Sequence, residues 1–148
     1  MARPIMNIKK AKKVLEKFFS DWDITVEYDL TDERLTAKSR NVNAKPYDDD
    51  IFISILIYPS GFVAYNFYFD YLTKNAQVLD LLNSFNENVI GLKASVSNED
   101  GGLTITHEAE AVTEDVIDIY TNRVLNDLLD DDTVKYLLPL TELTSAKD

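Results

Sequence analysis

The chain has 148 residues and a net charge of −11, with 45% apolar and 28% charged residues, the balance of a folded domain with a single core. It is read as one domain over 1–148, with loose ends at 1–6 and 141–148. It has no cysteine and one histidine, which excludes disulfides and thiol chemistry and fits a reducing, cytoplasmic setting. No apolar run approaches the ~18 residues of a membrane span. The basic N-terminus lacks the continuous apolar stretch of a signal peptide.

The charge is unevenly placed. Residues 1–17 hold Arg3, Lys9, Lys10, Lys12, Lys13 and Lys17 against Glu16, a net of +5, which leaves −16 on the other 131 residues. A body this acidic opposes nucleic acid, whose binding depends on neutralising phosphates.

In chain order, Ile8–Phe19 reads as a helix. Ile8, Ala11, Val14, Leu15, Phe18 and Phe19 form its apolar stripe, Trp22 extends it, and Asn7 is placed to cap it. The lysines take the other face, where they are expected to neutralise the acidic body of this chain or of a second copy. Ile24–Tyr28 alternates as a half-buried strand, Thr31–Glu33 is a turn, and Arg34–Ser39 is a weak strand. Residues 41–50 read as a polar loop. Ile51–Tyr58 and Phe62–Tyr71 are the strongest strand pair, joined by Pro59-Ser60-Gly61. The first is apolar throughout, which predicts a strand covered on both faces.

Thr73 is placed to cap a second helix carrying Val78, Leu79, Leu81, Leu82 and Phe85, with Asn86 or Asn88 ending it. Ile90–Val96 and Leu103–Ala109 then alternate around Asn98-Glu99-Asp100-Gly101-Gly102, which predicts a hairpin. Thr113 is placed to cap a long last helix. Its stripe is Val116, Ile117, Tyr120, Val124, Leu125, Leu128 and Leu129; Asp130-Asp131-Asp132 interrupts it and Pro139 stops it.

Candidate chemistry is sparse. His107 has Glu108 beside it, but adjacent strand residues point to opposite faces, so the pair makes no catalytic dyad. Asp48-Asp49-Asp50 and Asp130-Asp131-Asp132 lack the alternating ligands and glycine of a calcium loop. No catalytic residue, metal site or cofactor is expected. The aromatics Phe62, Tyr65, Phe67, Tyr68 and Phe69 have no interleaved lysine or arginine for stacking nucleic acid. They read as core on one face and a protein-contact surface on the other.

The order helix, strands, helix, two strands, helix over Ile8–Leu138 resembles the type III secretion chaperone-like fold, an α+β architecture with an antiparallel sheet packed by helices. The chain is also similar to the YbjN family of bacterial sensory transduction regulators. The resemblance implies a small, acidic, non-enzymatic protein, dimeric, that holds an extended segment of a client. The alternatives are a regulatory or structural protein, phage- or stress-linked, with a dedicated folded partner, and an enzyme using carboxylates. Partners are therefore expected to be protein or peptide, with neither nucleic acid nor a membrane span.

Overall fold

The structure is a computed structural model describing residues 5–43, 45, 47, 50–73, 75–97 and 101–143, with the backbone alone at 40 and 41. The elements are α1 (Ile8–Asp21), β1 (Glu27–Leu30), β2 (Leu35–Asn43), β3 (Asp50–Ile57), β4 (Val63–Tyr71), α2 (Ala76–Asn88), β5 (Lys93–Val96), β6 (Gly102–Ala109), α3 (Ile117–Leu129) and α4 (Asp131–Thr141). The strands make one antiparallel sheet in the order β1-β2-β3-β4-β6-β5. The fold is α+β, as the element order predicts.

Helix α1 starts and stops by identifiable devices. Asn7 Oδ1 accepts from the Lys10 N–H at 3.1 Å. At the far end Ile24 N–H donates to Phe19 O and Asp23 N–H to Ser20 O, a Schellman closure with Asp23 in the left-handed region at φ 57°. Met6, at the end the sequence leaves loose, is buried, and its N–H donates to Pro59 O at 3.0 Å.

The alternation of the strands sets the core. Ile51, Ile53, Ile55 and Ile57 of β3 and Tyr65, Phe67 and Phe69 of β4 point to one face. There they join Leu15 and Phe19 of α1, Phe85 of α2, Val124 and Leu128 of α3, and Leu137 of α4 in a single apolar cluster. The turn at 59–61 holds Gly61 at φ 89°, where a Cβ would come within 3.1 Å of Ala111 Cα and Val112 O. That turn is also where Val112 N–H donates to Gly61 O.

Several elements differ from their sequence reading. β1 lies three residues later than Ile24. β2 is a full nine-residue strand with an irregularity between Ser39 and Val42; sheet pairing on both sides supplies what local apolarity does not. α2 is capped by Asn75, which accepts from Val78 N–H at 3.0 Å, rather than by Thr73. It ends at extended Val89 rather than in a left-handed asparagine.

Ile90 lies outside β5. α3 begins at Ile117 with no side-chain cap, because Thr113–Val116 forms a separate turn. The interruption read at Asp130-Asp131-Asp132 falls at extended Asp130, which divides the last helix into α3 and α4, but Pro139 sits inside α4 instead of ending it. Asp48, Asp49, Asn98, Glu99 and Asp100 lie outside the described residues.

Candidate protein-binding surface

Register assigns the five aromatic candidates to faces. Tyr65, Phe67 and Phe69 are buried on the helix side. Tyr68 is 39% exposed on the opposite side, paired with Phe52 across the β3–β4 ladder, with ring centroids 5.5 Å apart. Phe62, just before β4, is half-buried, and its ring lies 5.8 Å from that of Tyr58. Leu56 opposite Ala64 lies between these two aromatic pairs.

The open face thus carries an apolar line along the β3–β4 hairpin, broken by Ser54 and Asn66. It is flanked by Thr36, Thr104 and Thr106 and rimmed by Lys38, Glu27, Lys93 and Glu108. The expected covering of β3 on both faces is not what this arrangement shows among the described residues. Helices pack on the isoleucine face, while Phe52 and Leu56 are only half-buried. A long apolar run does not distinguish a doubly covered strand from a strand flanked by close neighbours.

The two edges of the sheet are unlike. Thr31 N–H donates to Arg34 O at 2.9 Å. The hydrogen-bond alternation of an antiparallel pair then turns the backbone groups of Tyr28 and Leu30 away from β2, along an edge with no further strand among the described residues. Tyr28 Oη is itself shielded from solvent without a hydrogen-bond partner. Its hydroxyl is pushed up to about 12 by burial and then by the nearby Glu16 carboxylate. At the other edge, β5, the Asn86 side chain bonds the strand directly: Nδ2 donates to Ala94 O at 3.0 Å and Oδ1 accepts from Ala94 N–H at 2.8 Å.

Helix α1 places its lysines against this chain's own acids. Lys10 and Lys13 line one cleft with Glu114, Asp115 and Asp118; Lys13 and Lys17 line the next with Asp21 and Asp118. Glu114 is held below the usual glutamate range, first by the Asn7 N–H that donates to it at 3.0 Å and also by Lys10. These lysines thus share clefts with acids of the same chain.

His107 belongs to a hydrogen-bonded cluster under the sheet. Its Nδ1 meets Gly91 O and its Nε2 lies 2.7 Å from Tyr120 Oη. The Gly91 carbonyl can only accept, so Nδ1 is the donor there, and Nε2 shares the second bond with the Tyr120 hydroxyl. Tyr65 stacks on Tyr120, with centroids 6.0 Å apart, and its hydroxyl lies 2.9 Å from Thr121 Oγ1; burial pushes Tyr65 up. These contacts join β4, β6 and α3. Among the described residues no three His, Cys, Asp or Glu side chains are grouped to hold a metal ion, and no helix is long and apolar enough to cross a membrane.

The sequence missed Tyr47 and the second role of Asn86. Tyr47 sits in a stretch read as loop, where only its aromatic character marked it. Asn86 follows Phe85 on a helix and gives no sign of reaching a strand eight residues on.

The α+β architecture is that of the type III secretion chaperone-like fold. A chain of the structure "Crystal Structure of the ExsC-ExsE Complex" superposes with a TM-score of 0.55 at 13% identity, covering 95% of this chain and 98% of that one. No protein-family model and no curated protein matches the sequence.

Proposed function

We propose that this protein is a non-enzymatic, chaperone-like module that holds an extended segment of a partner protein. The reading is carried by the likeness of nearly its whole length to a chain solved in a two-protein complex. Two surfaces support it: the apolar line of Phe52, Leu56, Tyr68 and Phe62 on the open sheet face, and the outward backbone of Tyr28 and Leu30 on β1. An extended segment gains backbone hydrogen bonds at a sheet edge and buries alternate side chains on the face. The acidic body keeps the unfilled module soluble.

The resemblance to the YbjN regulators supports a second reading, a regulator with a folded partner. A homodimer belongs to either reading, because half-buried Phe52 and Leu56 and exposed Tyr68 leave apolar surface on the open sheet face that a second copy would cover.

The test is affinity isolation from native cells with mass spectrometry, followed by calorimetry with the recovered partner and with synthetic segments of it. A segment that binds the wild type and loses about tenfold on Tyr68→Ala, with the melting temperature retained, supports the chaperone-like reading. Binding only of the intact folded partner favours the regulator. Catalytic turnover of a recovered small molecule sinks both.

A further inference from the structure

We propose that the Asn86 carboxamide closes the β5 edge against a second copy of this chain, standing in for the strand that would otherwise pair there. Sheet edges expose ready-made pairing groups, and folded proteins cover them. Ser97 N–H donates to Gly102 O at 3.0 Å, so Ser97 and Gly102 form a hydrogen-bonded pair. Counting back through the β5–β6 register, Ser95 and Lys93 also bond inward, and Ala94 turns both its backbone groups outward.

Those two groups are the ones Asn86 occupies, at 3.0 and 2.8 Å. A primary amide offers one donor and one acceptor side by side, as the backbone of an opposing residue does. If it withdraws, the partner with matching geometry is Ala94 of a second copy. An outward-facing residue paired with its own equivalent in antiparallel strands lies on a two-fold axis, and the two new bonds are equivalent by symmetry.

The surroundings suit that occupant. Asn86 and Ala94 line a cleft of about 790 Å³ with Lys93, Glu87 and Glu108, which carry both signs of charge, so two copies meet there without a single-sign clash. Ile90, at the end of the same cleft, is 95% exposed and would gain burial in the pair. The inference does not depend on what the protein holds, and its test uses the protein alone.

The experiment compares wild type with Asn86→Ala by sedimentation equilibrium and by hydrogen exchange at the Ala94 amide. In dilute Asn86→Ala the Ala94 N–H is expected to exchange at least ~10-fold faster than in wild type. By ~100 µM the variant is expected to reach twice the wild-type mass, since contacts of even modest affinity register there. Adding Ala94→Pro, which removes the donor, is expected to restore the wild-type mass. Faster exchange with no gain in mass overturns the proposal, and so does unchanged exchange. If Asn86→Ala does not fold, the smaller polar Asn86→Ser is read by the same criteria.

Discussion

The Tyr47 hydroxyl donates to the carbonyl of Leu128 at 2.7 Å, across 81 positions of sequence. Leu128 lies in the last turn of α3, where carbonyls have no intrahelical partner. Tyr47 fills that vacancy from the segment between β2 and β3, and its ring meets Phe69 edge-on with centroids 5.6 Å apart. Tyr47→Phe keeps the packing and orphans the buried carbonyl. A loss of about 1–2 kcal/mol is expected, read as a lower urea midpoint at unchanged slope. An unchanged midpoint would mean that water serves the carbonyl equally well.

The Schellman closure of α1 leaves a side chain where glycine is usual. Asp23 holds φ 57° and is exposed. Asp23→Gly removes that backbone strain and one negative charge from a chain of −11. A gain of about 0.5–1 kcal/mol is expected after glycine's greater unfolded-state entropy is counted. A lower melting temperature would show that Asp23 supplies a contact stronger than the strain.

Tyr28 links the open edge to alkaline stability. Its hydroxyl has no partner, so Tyr28→Phe is expected to be neutral or slightly stabilising at pH 7. Its folded value of about 12 stands above the ordinary 10.0. The folded state therefore holds the proton longer than the unfolded state. That contribution is complete below about pH 10 and lost as pH rises towards 12. Denaturation midpoints from pH 8 to 12 should fall more steeply for wild type than for Tyr28→Phe. Parallel curves would rule out Tyr28 as the titrating group.

The proposed homodimer is checked by sedimentation equilibrium at low and high salt. A mass of twice 16.9 kDa that persists in high salt is expected, because a net charge of −11 opposes association and the contact must be apolar at its centre. A single-chain mass up to ~100 µM, where weak specific contacts register, removes the dimer.

The core of the fold was legible where period and composition agree. Ile51–Tyr58 with Phe62–Tyr71, the stripe of α1 and the Asn7 cap are local patterns with one strong solution. β2 was faint because Thr36, Lys38 and Ser39 carry no apolar signal; they are strand because β1 and β3 pair with them. Ile90 misled for the opposite reason, an apolar residue in phase with Leu92 and Ala94 that the turn at Gly91 throws outward. Of the contact surface, alternation alone separated Tyr68 from Tyr65, Phe67 and Phe69. The contacts of Asn86 and Tyr47 were invisible, because each depends on where two distant segments come to rest.

The strand order sets a sequence of events in time. β1 to β4 are successive neighbours, so each pairs with what has just been made, and such local closures are fast. β5 and β6 also close locally as a hairpin, and the Asn86 clamp reaches only eight residues. The non-local step is the docking of β6 onto β4 across α2 and β5. The β5–β6 hairpin is therefore expected to be the last part to join the sheet and the first to leave it. In native-state exchange its amides should form the lowest rung, beneath β3 and β4.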